Sequence, residues 1–194
     1  MNIYYYIKYQ LEIVLNNVLS AFTDLTSCST LMGFVALANN EQLTGSSIFN
    51  ENNGYDRSRL NTVYTNGLSG GWQAAVTSVG EYIQADLGTV RRLENVVTQG
   101  WFSNSNFYWV TSYRFAYSID GASYTFVSNP DGSDKIFTGN TDNDTLVQHD
   151  FDPALVARYV RLHPQTWNRA IALRWDVTGC DIGMSLVLIT ILHQ

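Results

Sequence analysis

The sequence predicts a single all-β domain, a sandwich or barrel, over about residues 28–180. Three observations predict it. Short stretches alternate apolar and polar residues with a period of two, and turn residues separate them at the spacing such folds require. Aromatic residues make up 13% of the 194 residues, beside 14 Gly and only 3 Pro, a balance that favours pleated strands and tight turns. No long helical periodicity follows residue 28.

The elements follow in chain order. "EYIQADLG" (81–88) puts Ile83, Ala85 and Leu87 on one face and stops at Gly88, and "RRLENVVTQG" stops at Gly100. "SYRFAYSIDG" aligns Tyr113, Phe115, Tyr117 and Ile119, then turns at Asp120-Gly121, a hairpin signal, with "SYTFVS" as partner strand. "DKIFTGN" closes on Gly139-Asn140, and "ARYVRLHP" ends at Pro164. The last strand sets Ile171, Leu173, Trp175 and Val177 against Ala172, Arg174, Asp176 and Thr178, which predicts one buried face. It runs into Cys180. Neither an internal repeat nor a linker divides the domain.

The ends read differently. Residues 1–27 are an apolar lead-in that ends near Ser20 and Ala21, but Lys8, Glu12, Asn16 and Asn17 interrupt it, so it makes an imperfect signal segment or an amphipathic lead-in. Within residues 181–194, "MSLVLITIL" (184–192) is apolar yet shorter than the roughly 20 residues a bilayer span needs.

Charged residues are only 14% of the chain, so the surface is polar through Ser, Thr and Asn instead. A net charge of −6 argues against a nucleic-acid partner and, less strongly, against purely electrostatic attachment to acidic lipids. The two cysteines, Cys28 and Cys180, match no zinc spacing. They read either as two buried thiols or as a disulfide joining the ends of the domain. The disulfide would contribute roughly 5 kcal/mol by loop closure and imply an oxidising compartment.

No catalytic constellation is present. "GLSGG" (67–71) matches a nucleophile elbow at Ser69, but no helix follows it, which makes it a glycine-rich turn. His149, His163 and His193 share no metal-ligand spacing. "TDNDT" alternates Asp142 and Asp144 without the glycine and distal glutamate of a calcium loop, so no motif supports calcium, and no other cofactor is expected. Asn143-Asp144-Thr145 is a glycosylation sequon, meaningful in a secreted chain.

A series of motifs then comes in order: "LTGSS" (43–47), "SRLN" (58–61), "GGW" (70–72), "EYIQADLG", "VVTQG", "WVTSYRFAYSIDG", "IFTGNTDN" and "FDPALVARYVRLHPQTWNRAIALRWDVTGCD". Over about 28–181 the chain resembles a coagulation factor V/VIII type C domain, a discoidin-like family. The resemblance implies an antiparallel jelly-roll β-sandwich of about eight main strands, galactose-binding-like, closed by a disulfide between Cys28 and Cys180. It implies a secreted or cell-surface recognition module, not an enzyme, whose relatives bind phosphatidylserine membranes, cell-surface glycans or proteins through loops at one end.

Three stretches match those loops: Ile48–Ser58, Ala74–Gly80 and Trp101–Trp109. The expected ligand-binding residues are Phe49, Asn52, Tyr55, Arg57, Trp101, Phe102, Asn104, Asn106 and Phe107. Exposed aromatics can enter a membrane interface or stack on a sugar. The tip of the third stretch, Ser103-Asn104-Ser105-Asn106, is polar and uncharged, which departs from the membrane-binding pattern and suits hydrogen bonding to hydroxyl or peptide groups. The primary expectation is an adhesion module for a cell-surface phospholipid headgroup or protein, with peripheral membrane contact. The alternative is a lectin-like carbohydrate binder. Trp72, Ile83, Leu87, Tyr113 and Trp175 are expected in the core, and Arg158, Arg161 and Arg174 are expected to pair with carboxylates such as Asp86 or Asp176.

Overall fold

Among residues 28–103 and 106–182, which the computed structural model describes, ten strands form. They are β1 (Met32–Gly33), β2 (Leu43–Gly45), β3 (Trp72–Gln73), β4 (Ile83–Gln99), β5 (Trp101–Ser103), β6 (Asn106–Ser118), β7 (Thr125–Phe126), β8 (Phe137–Thr138), β9 (Val147–Asn168) and β10 (Ala172–Asp181). One helical turn, α1 (Phe34–Leu37), follows β1. The chain divides into two units, Met1–Leu31 and Met32–Gln194, and this fold is that of the second. The lead-in to residue 27 and the apolar stretch 184–192 lie outside the described residues. Among the described residues no helix is long and apolar enough to cross a membrane.

Every pairing between these strands is antiparallel, in the order β1-β10-β4-β9-β6-β5. The register shows how this network closes. Thr98 of β4 pairs with Val147 at the start of β9, while Trp109 of β6 pairs with Asn168 at its end. Yet Trp101, just beyond β4, pairs with Tyr108. Both ends of the ladder therefore meet, and the network folds over into two layers around one core. The fold line falls where β4 loses register between Asp86 and Arg91. Gly88 there takes φ +80°, a conformation only glycine adopts without strain.

The stops expected at Gly88 and Pro164 are bends, because β4 and β9 keep backbone partners beyond both. Pro164, which has no N–H to give, sits beside a register shift against β6. The expected partner strand "SYTFVS" pairs with β6 through Thr125 and Phe126, and the Val127 amide adds a bond to the Phe115 carbonyl at 2.9 Å.

The core follows the alternation. Trp72, Ile83, Leu87, Tyr113 and Trp175 are all buried, each contributing about 2–3 kcal/mol by removal from water. The strand at 171–178 departs from expectation: both of its faces are covered, and Arg174 and Asp176 are each only 5% exposed. Asp176 faces α1, and its carboxylate accepts from the Val35 and Val177 amides at 2.8 Å. Burial pushes its pKa up against those bonds. Both cysteines of the chain are disulfide-bonded, which makes the bond Cys28–Cys180.

Candidate recognition site

The fold-over gathers four connections at one end: residues 46–71 between β2 and β3, the β5–β6 hairpin, residues 140–146 before β9, and the turn 169–171. Backbone and side-chain bonds fix them together. The Phe49 amide donates to the Gln73 carbonyl at 2.8 Å, and the Ser69 amide donates to the Asn52 carbonyl at 2.8 Å.

Arginines act here as internal braces. Arg57 donates from Nε to the Ser69 carbonyl (2.7 Å) and from Nη2 to the Val63 carbonyl (2.8 Å). Arg59 reaches the carbonyls of Asp56 and Ala38. Arg174 joins three connections at once: Nε to the Gly100 carbonyl (2.7 Å), Nη1 to that of Thr62 (3.0 Å) and Nη2 to that of Asn143 (3.0 Å). Burial lowers its pKa, opposed by Asp144, whose Oδ1 lies 3.3 Å from Nη2. Arg169, at the turn tip, is exposed.

Trp101 is the partition of this end. It is 3% exposed and stacks on Tyr108 at 5.2 Å. Its indole lies against Gly71, where an added Cβ would meet the ring carbons at 2.5–2.7 Å. The "GGW" motif thus makes room for this ring. On one side lies a cleft of about 320 Å³ lined by Phe49, Asn50, Asn52, Asn53, Gln73 and Tyr64, with Trp101 and Tyr108 as its aromatic wall. On the other lies a cleft of about 530 Å³, lined by Val63, Tyr64, Phe102, Asn143, Asp144 and Arg174. The side-chain amides of Asn52, Asn53 and Gln73 make no hydrogen bond among the described residues.

Around both clefts stands an apolar rim. Phe49, Val63, Tyr64, Phe102 and Phe107 are 47–66% exposed, and the rings of Phe102 and Phe107 lie 5.5 Å apart. Several large apolar side chains exposed together on one surface mark an interaction site.

The sequence-predicted residues fall into three groups. Phe49, Phe102 and Phe107 are on the rim, Asn52 lines the smaller cleft, and Asn106 is exposed. Trp101 is a buried wall, Arg57 is engaged with loop carbonyls, and the Tyr55 hydroxyl donates to the Gly45 carbonyl at 3.0 Å. Asn104 lies outside the described residues. The third stretch is a hairpin: Trp101–Ser103 pairs with Asn106–Tyr108. Of the second stretch, Val76 and Val79 are exposed but line neither cleft. Val63, Tyr64 and Gln73 are additions, and the only sequence signal for the first two is an apolar pair inside the polar run "NTVYTNG".

The remaining features have structural roles. Ser69 Oγ donates to the Gly71 carbonyl and accepts from its amide, which holds a turn. The Asp142 carboxylate accepts from the amides of Asp144 and Thr145 and from the Thr145 hydroxyl. Those bonds hold it below the usual carboxylate range. Arg158 forks onto Asp86 at 2.8 Å, as expected. Arg161 instead bonds Gln84 and stacks on Tyr124 at 3.7 Å, because no carboxylate lies opposite it in register.

The fold and site together define a two-layer antiparallel β-sandwich with a loop-built, cleft-bearing end. The chain belongs to the F5/8 type C domain family, whose model matches residues 42–177. It is 33% identical to coagulation factor V of Bos taurus over 162 residues, covering 82% of this chain and 7% of that protein. It is 32% identical to lactadherin of Mus musculus over 159 residues, covering 80% of this chain and 34% of that protein. The chain thus spans a small part of these relatives' length. Among solved structures it is similar to discoidin II from Dictyostelium discoideum, with a TM-score of 0.70 and 27% identity over 81% of this chain and 61% of that one. The discoidin-like sandwich implied by the sequence is the fold of this chain.

Proposed function

We propose that this domain is an extracellular, non-enzymatic recognition module that seats its loop end in a membrane interface. One observation carries the reading: Phe49, Val63 and Tyr64 from the β2–β3 connection and Phe102 and Phe107 from the β5–β6 hairpin form an exposed apolar rim beside polar clefts. The rim enters the interface and the clefts receive a headgroup. Arg57, Arg59 and Arg174 are engaged with carbonyls, so charge contributes little and insertion contributes most.

Co-sedimentation with phosphatidylserine and phosphatidylcholine vesicles at low and high salt tests this. Retention at high salt is expected. Phe102→Ala should weaken it about tenfold, since burying a phenylalanine is worth about 1.5–3 kcal/mol. Binding that vanishes with salt, or ignores Phe102→Ala, would refute insertion.

The amides of Asn52, Asn53 and Gln73 beside Tyr64 favour a second reading, carbohydrate binding in the smaller cleft. Absence from vesicles together with retention on a glycan array, lost in Asn52→Ala, is the outcome that selects it.

A further inference from the structure

The larger cleft carries a feature that neither reading uses. Asn143, the acceptor of an Asn-Asp-Thr sequon, lines its wall beside Asp144 and Arg174, opposite Val63 and Phe102. Its backbone is pinned there, because the Asn143 carbonyl accepts from Arg174 Nη2 at 3.0 Å. Its side-chain amide makes no hydrogen bond among the described residues, so no protein group competes for its nitrogen. The Thr145 hydroxyl and amide both bond Asp142, which fixes the turn that presents the sequon. The Cys28–Cys180 disulfide belongs to the oxidising route on which such sequons meet the oligosaccharide-transferring machinery.

We propose that Asn143 carries an N-linked glycan whose core sugars occupy the larger cleft and cover the rim beside Phe102, so that glycosylation separates a covered from a bare form of the loop end. The argument is steric and chemical. A cleft of about 530 Å³ is large enough for a sugar residue, and a glycan anchored on its wall stands in the path of anything that enters past Phe102. The first sugar starts from a residue whose backbone is pinned on the cleft wall. Val63, Tyr64 and Phe102 offer apolar surface for its ring face, while Asp144 and the loop carbonyls offer acceptors for its hydroxyls. The smaller cleft, behind the Trp101 partition, stays open. The effect on membranes rests on the interface reading above; the covering of the rim does not.

The test uses the full chain behind a cleavable secretion signal in a glycosylating host, with Asn143→Gln beside it. Wild-type protein deglycosylated in the folded state provides a bare form with the original fold. Peptide mass mapping reads occupancy at residue 143. The fluorescence of an apolar dye, 1-anilinonaphthalene-8-sulfonate, reads rim exposure without any assumption about the ligand. Vesicle co-sedimentation reads the functional consequence. Expected are a glycan on Asn143, dye fluorescence that rises several-fold in both bare forms, and vesicle affinity about tenfold higher in both. An unmodified Asn143, or equal dye fluorescence in covered and bare forms, overturns the proposal. A dye difference without vesicle binding by any form keeps the glycan proposal and refutes the interface reading instead.

Discussion

Arg174→Met removes the brace of the loop end while keeping most of the side-chain volume. The guanidinium is 5% exposed and donates to carbonyls of Gly100, Thr62 and Asn143 at 2.7–3.0 Å. A hydrogen bond from a charged donor is worth about 1.5–3 kcal/mol, and three of them set a ceiling well above the net value. Against that stands the cost of burying the charge, visible in the lowered pKa of this arginine. Water can also reach the Thr62 and Asn143 segments once the side chain is gone. A net loss of about 3 kcal/mol follows, which for a chain of this size lowers Tm by about 6–12 °C. The loops that carry Val63 and the sequon also lose their common anchor, so vesicle retention should fall as well. Arg174→Lys should behave like Arg174→Met, because one ammonium cannot span three carbonyls. Thermal unfolding followed by near-ultraviolet circular dichroism, with co-sedimentation on the same samples, makes the measurement. A variant within about 0.5 kcal/mol of wild type with unchanged retention would show that the loops hold themselves.

Two further predictions concern the body of the sandwich. His163 lies between Tyr82 and Phe126, and burial first, then Arg114 and Arg161, push its pKa down to about 4. Between pH 6.5 and 4 the unfolded chain binds a proton that the folded chain refuses, so stability falls on acidification by at most about 3 kcal/mol. Urea midpoints across that range should fall less steeply in His163→Phe, and parallel pH profiles for the two proteins would contradict this origin. Reduction of Cys28–Cys180, or the double serine variant, should cost up to about 5 kcal/mol and lower Tm by about 10–20 °C. An unchanged Tm would mean that the unfolded chain gains little freedom when the bond is opened.

What could be read from the sequence was whatever period two controls. Ile83, Ala85 and Leu87 face inward because a strand has only two faces and the apolar one is buried. Alternation names faces, however, and not partners. It could not show that β4 and β9 bend together at Gly88 and Arg158, because the bend is set by which strands lie alongside. Arg174 sits on the polar side of its strand, yet its length carries the guanidinium into the loop end, where its partners are carbonyls invisible to any residue pattern. Trp101 reads as a loop aromatic, but Gly71, thirty positions earlier in the chain, gives its ring a place to bury. Tyr64 reads as part of a polar turn because nothing near it repeats.

The bracing arginines also govern how the domain meets a surface. A chain of net charge −6, whose loop-end guanidiniums are mostly turned inward, has no long-range attraction to an anionic leaflet. Beyond a screening length of about 8 Å its net charge is hardly felt, closer in it is repelled, and attraction begins only when the rim touches. On the membrane reading proposed above, arrival gains nothing from steering, and residence is set by how long the apolar tips stay in. Selectivity then depends on local concentration. Several copies held on one scaffold would convert brief contacts into lasting attachment, whereas a lone copy would come and go.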